Sequence, residues 1–212
     1  MKIWDLPTRL YHWLQALLFV GLTITGFTGK GPHIYLGLTL FTLILWRIIW
    51  GFIGSDTSRF AQFLSSPKTT IRYFLGKEKS VKGHNPAGSW MVIALILGLF
   101  IQCISGLIVA GMFDHLPYAE VIISSNIFGI AVTIHRVFSR LLPALVVLHL
   151  LAILFYKLRA KSLVLAMITG IQRKATDDQE HSSLAFASNK RAFLVLVAVG
   201  LVTIAIVVQS QV

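Results

Sequence analysis

Charged side chains and cysteine are scarce in this sequence of 212 residues. Asp, Glu, Lys and Arg make up 13% of the chain, 56% of it is hydrophobic, and the mean hydropathy is +0.77. A chain this apolar and this weakly charged does not belong to the class of soluble globular domains. The one cysteine, Cys103, lies inside an apolar run, which excludes a disulfide framework and a zinc cluster built from thiolates.

Acidic residues are especially few, with 8 Asp and Glu against 19 Lys and Arg. The net charge of +11 would suit a nucleic-acid-binding protein, but in a membrane chain a basic surplus marks the loops that stay in the cytoplasm. The basic residues concentrate in residues 55–88 and 157–174. We therefore expect membrane lipid, and no nucleic acid, around this protein.

Long apolar runs make up most of the chain. Five of them approach or exceed the roughly 18 to 20 residues that cross about 30 Å of hydrocarbon as a helix. The predicted spans are residues 10–28, 34–54, 88–113, 132–156 and 192–208. The sequence predicts an all-α integral membrane protein, in which a four-helix bundle is followed by one additional C-terminal transmembrane helix.

The distribution of charge predicts how the chain is organised about the membrane. Both basic segments are expected on the cytoplasmic side, with the N-terminus there and the C-terminus outside. The bundle is assigned to residues 1–171, a polar cytoplasmic linker to 172–190 and the extra helix to 191–212.

Two further segments are predicted to lie at the membrane surface. Residues 119–131 are expected along the outer interface, with contact to a partner as the alternative, and residues 162–171 as an extension of the fourth span.

Four histidines fall at two depths in the predicted bundle. His12 and His149 lie toward the inner ends of their spans, and His33 and His135 toward the outer ends. His135 and His149 are 14 residues apart (149 − 135), so they share a helix face to within about 40° and lie about 21 Å apart along the axis. We therefore predict that His149 pairs with His12, and His135 with His33, as ligands of two stacked metal centres.

The chemistry of the candidate ligands favours haem. An imidazole in hydrocarbon needs a metal or a polar partner, and for any one histidine an interhelical hydrogen bond is an equal alternative. No carboxylate or thiol lies close in sequence to these positions, as a tetrahedral zinc site would require. Two axial imidazoles on a haem leave no open position on iron, which suits electron transfer rather than oxygen binding.

Other residues are candidates to support such haems. Arg136 and Arg140, beside His135, and Arg47, inside the second span, could pair with the anionic propionates, whereas snorkelling to lipid phosphates is the alternative. Gly26 and Gly37 are small residues at the level of the outer haem, where a ring could pass close to the backbone. Ordinary helix packing explains either glycine equally well.

Several motifs in this chain resemble one family. They are WDLPTRLYHW at residues 4–13, PHIYLG and WRIIWGFIG within 32–54, and GHNPAGSWMV at 83–92, followed by the pair His135 and His149. The set resembles the bacterial four-helix b-type cytochromes, which include the b subunits of nickel-iron hydrogenases and the small cytochromes of the prokaryotic five-sixty-one group. The resemblance covers about residues 1–169.

The resemblance implies a bundle in the bacterial inner membrane that holds two b haems, each with two histidine ligands. The family's ligand positions match His12, His33, His135 and His149. Such a protein would carry electrons between the quinone pool and a c-type cytochrome or a periplasmic oxidoreductase subunit. The fifth span departs from the four-helix pattern, which leaves open whether it docks on the bundle, binds a partner or exports the C-terminus to the periplasm.

Two other functions compete with electron transfer. The chain could be the membrane anchor of a hydrogenase-like oxidoreductase, with histidines that mainly organise the complex. It could also conduct metal ions or protons along its histidines, but the four main spans contain no Asp or Glu, which such a pathway would use. Enzyme activity depends on whether the chain has a quinone site of its own, and the sequence leaves homo-oligomers open.

Overall fold

The protein is helical throughout the part described by a computed structural model, which covers residues 2–75, 77, 86–158, 163–172 and 184–211. In chain order the helices are α1 (Leu6–Thr28), α2 (His33–Ile53), a 3-10 turn (Asp56–Ser58), α3 (Phe60–Phe63), α4 (Pro67–Phe74), α5 (Pro86–Val109), α6 (Ala119–Ile122), α7 (Ser125–Leu158), α8 (Leu163–Thr169) and α9 (Asn189–Gln209). The predicted linker at 173–183 and the motif residues 83–85 lie outside the described residues.

Five helices, α1, α2, α5, α7 and α9, are long and apolar enough to cross a membrane. They correspond to the five predicted spans, and the predicted fold class is confirmed. Among the described residues, β-type pairing is limited to an isolated antiparallel bridge between Lys2 and Ile171.

Local sequence signals set both ends of α1. The Asp5 side chain accepts a hydrogen bond from the Thr8 backbone amide, and a proline follows within the first turn. The helix ends at Gly29, whose φ of 65° is in the left-handed region that favours glycine. Because only four residues separate α1 from α2, the two helices pack as antiparallel neighbours.

Helix α2 lies at the centre of the bundle. It packs against α1, α5 and α9, while α7 packs mainly on α5. Helix α2 supplies more of the core side chains than any other helix, and the rings of Trp46 and Trp50 stack there with centroids 5.3 Å apart. By contrast α1 and α7 touch only briefly, so a space opens between these two helices.

The ends of the bundle contain different segments. The α1–α2 turn, the segment between α5 and α7 and the last residues of α9 share one end, because Gln209 Nε2 donates to the His115 carbonyl, 3.1 Å away. We call this the turn end. At the other, N-terminal, end the chain before α1 is held by α8, where the Ile3 amide donates to the Gly170 carbonyl at 2.8 Å.

Two predicted surface segments differ from expectation. Within residues 119–131 only α6 is separate, and Ser125 already begins α7. At 34 residues, α7 is about 50 Å long and exceeds the hydrocarbon thickness, so an apolar turn can extend the span instead of lying on the surface. Residues 163–169 form the distinct helix α8, because Ala166 and Met167 bury Ile3 and Trp4.

The fifth span docks on the bundle, which answers one question that the sequence left open. Trp46 Nε1 donates to the Ala192 carbonyl at 2.9 Å, and the hydroxyls of Thr42 and Thr203 are 2.7 Å apart. The extended residues ahead of α9 add a reciprocal pair, since the Asp56 amide donates to the Ala185 carbonyl and the Ala185 amide to Asp56 Oδ2. Polar contacts at several levels therefore attach α9 to α2.

The Thr42–Thr203 contact can be tested by a double-mutant cycle with Val at each position. We expect a coupling energy of about 0.6 kcal/mol, and at most about 1.7 kcal/mol, since interhelical hydrogen bonds in membranes have this strength. Reversible unfolding in mixed micelles measures it. Thr39→Val is the matched control, because Thr39 is exposed on α2 and its hydroxyl bonds only its own helix, at the Tyr35 carbonyl. Coupling between Thr39 and Thr203, or none between Thr42 and Thr203, would contradict the packing of α9.

Candidate functional site

The structure brings the four histidines together as two pairs. His33, the first residue of α2, and His135 of α7 have ring centroids 6.3 Å apart and planes at 89°. His12 of α1 and His149 of α7 lie close enough to interact electrostatically at the N-terminal end. We call these the His33 pair and the His12 pair. Helix α7 contributes one member to each.

A cavity of about 650 Å³ surrounds the His33 pair. Its wall comes from α1, α2, α5 and α7, and it occupies the turn-end half of the space between α1 and α7. Both imidazoles line it, together with Gly37, Gln102, Cys103 and Arg136. Its volume lies within the range of cofactor pockets, which are mostly apolar with a few polar groups.

Thr25 orients the His33 ring. The Thr25 hydroxyl lies 2.9 Å from His33 Nδ1 and also donates to the Gly21 carbonyl at 2.9 Å. While the hydroxyl proton bonds its own helix, the Thr25 oxygen can accept from His33 Nδ1–H, which is the tautomer of a histidine that binds metal through Nε2. The opposite ring nitrogen, Nε2, keeps its lone pair. The tight α1–α2 turn creates this contact, because it folds the start of α2 back beside the end of α1.

Helix α5 orients the His135 ring. His135 Nδ1 lies 3.2 Å from the backbone carbonyl of Gln102 and 3.4 Å from the Ser105 hydroxyl. A carbonyl oxygen only accepts, so Nδ1 carries the proton and Nε2 is again the basic nitrogen. A backbone or hydroxyl acceptor at the second ring nitrogen is how proteins orient histidines that bind metals.

Glycines let the rings lie against the helices. A Cβ added at Gly26 would lie 3.2 Å from His33 Cε1, and one at Gly106 would lie 2.9 Å from His135 Cε1. At Gly37 a Cβ would meet nothing within 4 Å and would enter the cavity. Sequence reasoning found Gly26 and Gly37 but missed Gly106. The available signal was the small pair Ser105–Gly106 inside an apolar run, which ordinary helix packing also explains.

Unpartnered polar atoms collect at the His12 end. His12 Nδ1, the Tyr11 hydroxyl and Arg47 Nη1 are buried and have no hydrogen-bond partner within the described part of the chain. Arg47 is only 4% exposed, lies over the Phe60 ring and is an electrostatic neighbour of Tyr11 and Asp5. Buried donors without partners carry a free-energy cost, so this arrangement suits a bound acceptor. Sequence reasoning missed Tyr11, because a tyrosine near a membrane interface usually belongs to an aromatic belt.

The two arginines beside His135 occupy different surroundings. Arg136 is exposed and lines the cavity of the His33 pair. Arg140, one turn further along α7, is exposed on the helix surface. Of these two residues the geometry therefore brings Arg136 to the candidate site.

The donor atoms fit haem. Each pair offers two imidazoles, and within the described ranges no group of three His, Cys, Asp or Glu residues could hold a metal ion. A tetrahedral zinc site needs three or four protein ligands, whereas a haem iron takes its other ligands from the macrocycle and needs only two axial imidazoles. The cavity, the oriented Nε2 atoms and the open space beside Gly37 accord with a flat ring held edgewise between helices.

Known proteins share part of this sequence. The family model described as prokaryotic cytochrome b561 matches residues 3–170. The chain is similar to the proteins named "Probable Ni/Fe-hydrogenase B-type cytochrome subunit" from Azotobacter vinelandii and Azotobacter chroococcum mcd 1, each 25% identical over 136 residues. The match covers 49% of this chain and 57% of each relative, so the chain spans little more than half the length of these curated relatives. No solved structure matches significantly.

Proposed function

The chain belongs to the prokaryotic cytochrome b561 family, and we propose that it conducts electrons through two b haems, one at each histidine pair. The family match makes it a bacterial membrane cytochrome b that takes part in electron transfer and contains haem b. The number of haems, their ligands, the partners and the quinone are the parts that we propose. The family match ends at residue 170, ahead of α9.

The His33 pair carries this proposal. An imidazole nitrogen binds a transition metal at about 2 Å, so two imidazoles that held one metal between them would have their ring centroids about 6 Å apart. The observed separation is 6.3 Å, inside a cavity of about 650 Å³. Both rings have their Nδ1 atoms engaged, so iron would bind at the Nε2 atoms. The side-chain amide of Gln102, 3.4 Å from His135 Nε2, would give up that contact to the metal.

The His12 pair is proposed to hold the second haem. His12 and His149 are electrostatic neighbours, and α7 separates His149 from His135 by 14 residues, or about 21 Å along the helix axis. Helix α7 therefore supports both sites and sets the distance between them. The edges of two macrocycles are closer than their irons, so electrons can pass between them within one chain.

The residues of the chain favour electron transfer over other haem chemistry. A bound haem supplies a one-electron couple between ferric and ferrous iron. Each histidine pair would supply both protein ligands of its haem, which would leave no position on iron for oxygen or substrate. Thr25 and the Gln102 carbonyl restrict rotation of the rings, so little reorganisation accompanies each electron.

Cationic and hydroxyl donors are proposed to hold the propionates. Arg47 and Tyr11 offer buried donors at the His12 end, and Arg136 offers a guanidinium at the wall of the His33 cavity. Arg140 is exposed on the same helix and would add attraction from the surface. Arg47 is the strongest of these candidates, because a guanidinium buried to 4% exposure requires an anion or acceptor nearby.

The cytochrome is proposed to exchange electrons with the quinone pool and with an oxidoreductase subunit or a c-type cytochrome. The relatives are named as hydrogenase cytochrome subunits, which supports an oxidoreductase partner. The alternative function is that of a membrane anchor for such a complex, and haem analysis separates the two functions. We place the turn end in the periplasm and the N-terminal end in the cytoplasm of a bacterial inner membrane, because the basic residues 55–77 lie at the N-terminal end.

Haem content tests the two sites directly. The purified full chain should give a b-type reduced-minus-oxidised spectrum with about two haems per chain by pyridine haemochrome. His33→Ala and His135→Ala should each remove the same haem, and His12→Ala and His149→Ala the other, since each change removes one axial ligand. A colourless, iron-free protein would exclude electron transfer and favour the anchor function. Loss of the same haem from His12→Ala and His33→Ala would show that the pairs are wrong.

Gly37→Ala distinguishes a haem site from a gap in packing. The added methyl enters the cavity, so we expect lower haem occupancy at the His33 pair or a shifted α band. If the cavity were only a packing gap, the same change would leave haem content intact and raise the unfolding temperature, because Ala is favoured over Gly in a helix by about 1 kcal/mol. Gly200→Ala is the matched control, since its Cβ also meets nothing within 4 Å but lies on α9.

Cysteine labelling tests the orientation in the membrane. In a Cys103→Ala background, Lys30→Cys and Gln211→Cys place an exposed thiol at the turn end, and Lys68→Cys places one at the N-terminal end. A membrane-impermeant maleimide added to intact cells with a permeabilised outer membrane should label the first two, and the third only after lysis. The reverse pattern would invert the proposed topology and leave the haem sites unaffected.

A further inference from the structure

His33 and His135 differ from His12 in what their Nδ1 atoms contact. His33 Nδ1 is 2.9 Å from the Thr25 hydroxyl, and His135 Nδ1 is 3.2 Å from the Gln102 carbonyl. His12 Nδ1 is buried and has no hydrogen-bond partner among the described residues. The pair at the turn end is therefore supplied with protein acceptors that His12 lacks.

Each of these groups can accept a hydrogen bond from the Nδ1–H of its own ring, Thr25 from His33 and the Gln102 carbonyl from His135. The Gln102 carbonyl has no proton to give, and the Thr25 hydroxyl gives its own to the Gly21 carbonyl at 2.9 Å. When Nδ1–H donates to an acceptor, electron density shifts toward Nε2 and makes that nitrogen a more basic ligand. A more basic ligand stabilises the more highly charged ferric iron, and so lowers the reduction potential.

Resting on the proposed function, we propose that Thr25 and the Gln102 carbonyl are positioning groups that make the His33 pair the centre of lower reduction potential. The described residues offer His12 Nδ1 no such acceptor, so we assign the higher potential to its centre. An electron that enters at the turn end then moves downhill along α7 to the N-terminal end. The chain thereby favours one direction of flow, from a donor at the turn end to an acceptor at the N-terminal end.

Thr25 also has a packing role, which the substitutions must preserve. A Cβ added at Gly31 would lie 2.9 Å from Thr25 Cγ2, so the methyl of Thr25 packs tightly against the α1–α2 turn, where Gly31 has a φ of 98°. Val at position 25 keeps this methyl and removes the hydroxyl. Ser keeps the hydroxyl and removes the methyl. The two variants therefore separate the hydrogen bond from the packing.

A spectroelectrochemical titration of the purified full chain tests the proposal. Wild type should show two one-electron waves. In Thr25→Val the lower wave should move to a higher potential by about 59 mV, which corresponds to a tenfold change in the ratio of oxidised to reduced haem for one electron. The upper wave should stay in place. Thr25→Ser should return the lower wave to its wild-type position. Thr23→Val is the control, because Thr23 lines the same cavity but its hydroxyl bonds the Phe19 carbonyl.

The order of the two potentials is measured independently. His33→Ala should retain only the higher-potential haem, and His12→Ala only the lower-potential one, and this holds even if Thr25→Val fails to bind its haem. Two haems with the reverse order would overturn the inference, as would a Thr25→Val protein whose waves both match wild type. A wild-type protein without two haems would instead overturn the proposed function, so the two failures are distinguishable.

Discussion

Imidazole in hydrocarbon must have a partner, and the arrangement of this bundle follows from that constraint. Four histidines sit within or at the start of membrane-spanning helices, and each gains a partner when α1 and α2 lie opposite α7 at two levels. Helix α7 is long and continuous, so it can serve both levels. Helices α1 and α7 touch only briefly, and this separation leaves room for the haem that we propose between the rings.

Helix α2 compensates for that separation. Helices α1 and α7 pack little against each other, whereas α2 packs against α1, α5 and α9 around the stacked rings of Trp46 and Trp50. The fifth span is part of this compensation, because it covers a face of α2 that a four-helix bundle would leave to lipid. In hydrocarbon the apolar side chains of α9 gain little by leaving lipid, so hydrogen bonds such as Trp46 to the Ala192 carbonyl specify its place.

The depth of each residue in the membrane could be predicted from the sequence, because depth along a helix follows from residue number. The five spans, the antiparallel start and the shared face of His135 and His149 all follow from lengths and from the 3.6-residue period. The full reach of α7 was not readable, since residues 125–131 are moderately apolar and suit a segment at the membrane surface as well as a continued helix. The separate helix α8 was missed because its burial depends on Ile3 and Trp4, more than 150 residues away.

The sequence by itself determined the class of protein, its spans and the levels of its four histidines, because hydrophobic length and helical rise are local properties. Only the tertiary structure decided what surrounds each ring: Thr25 beside His33, Gln102 and Gly106 beside His135, and the unpartnered Tyr11 and Arg47 near His12. The contacts of His135 reach across about 30 residues to another helix, and rotation of α5 by a single residue would remove them. Side-chain hydrogen bonds between helices depend on such rotations, which hydropathy along the chain does not encode.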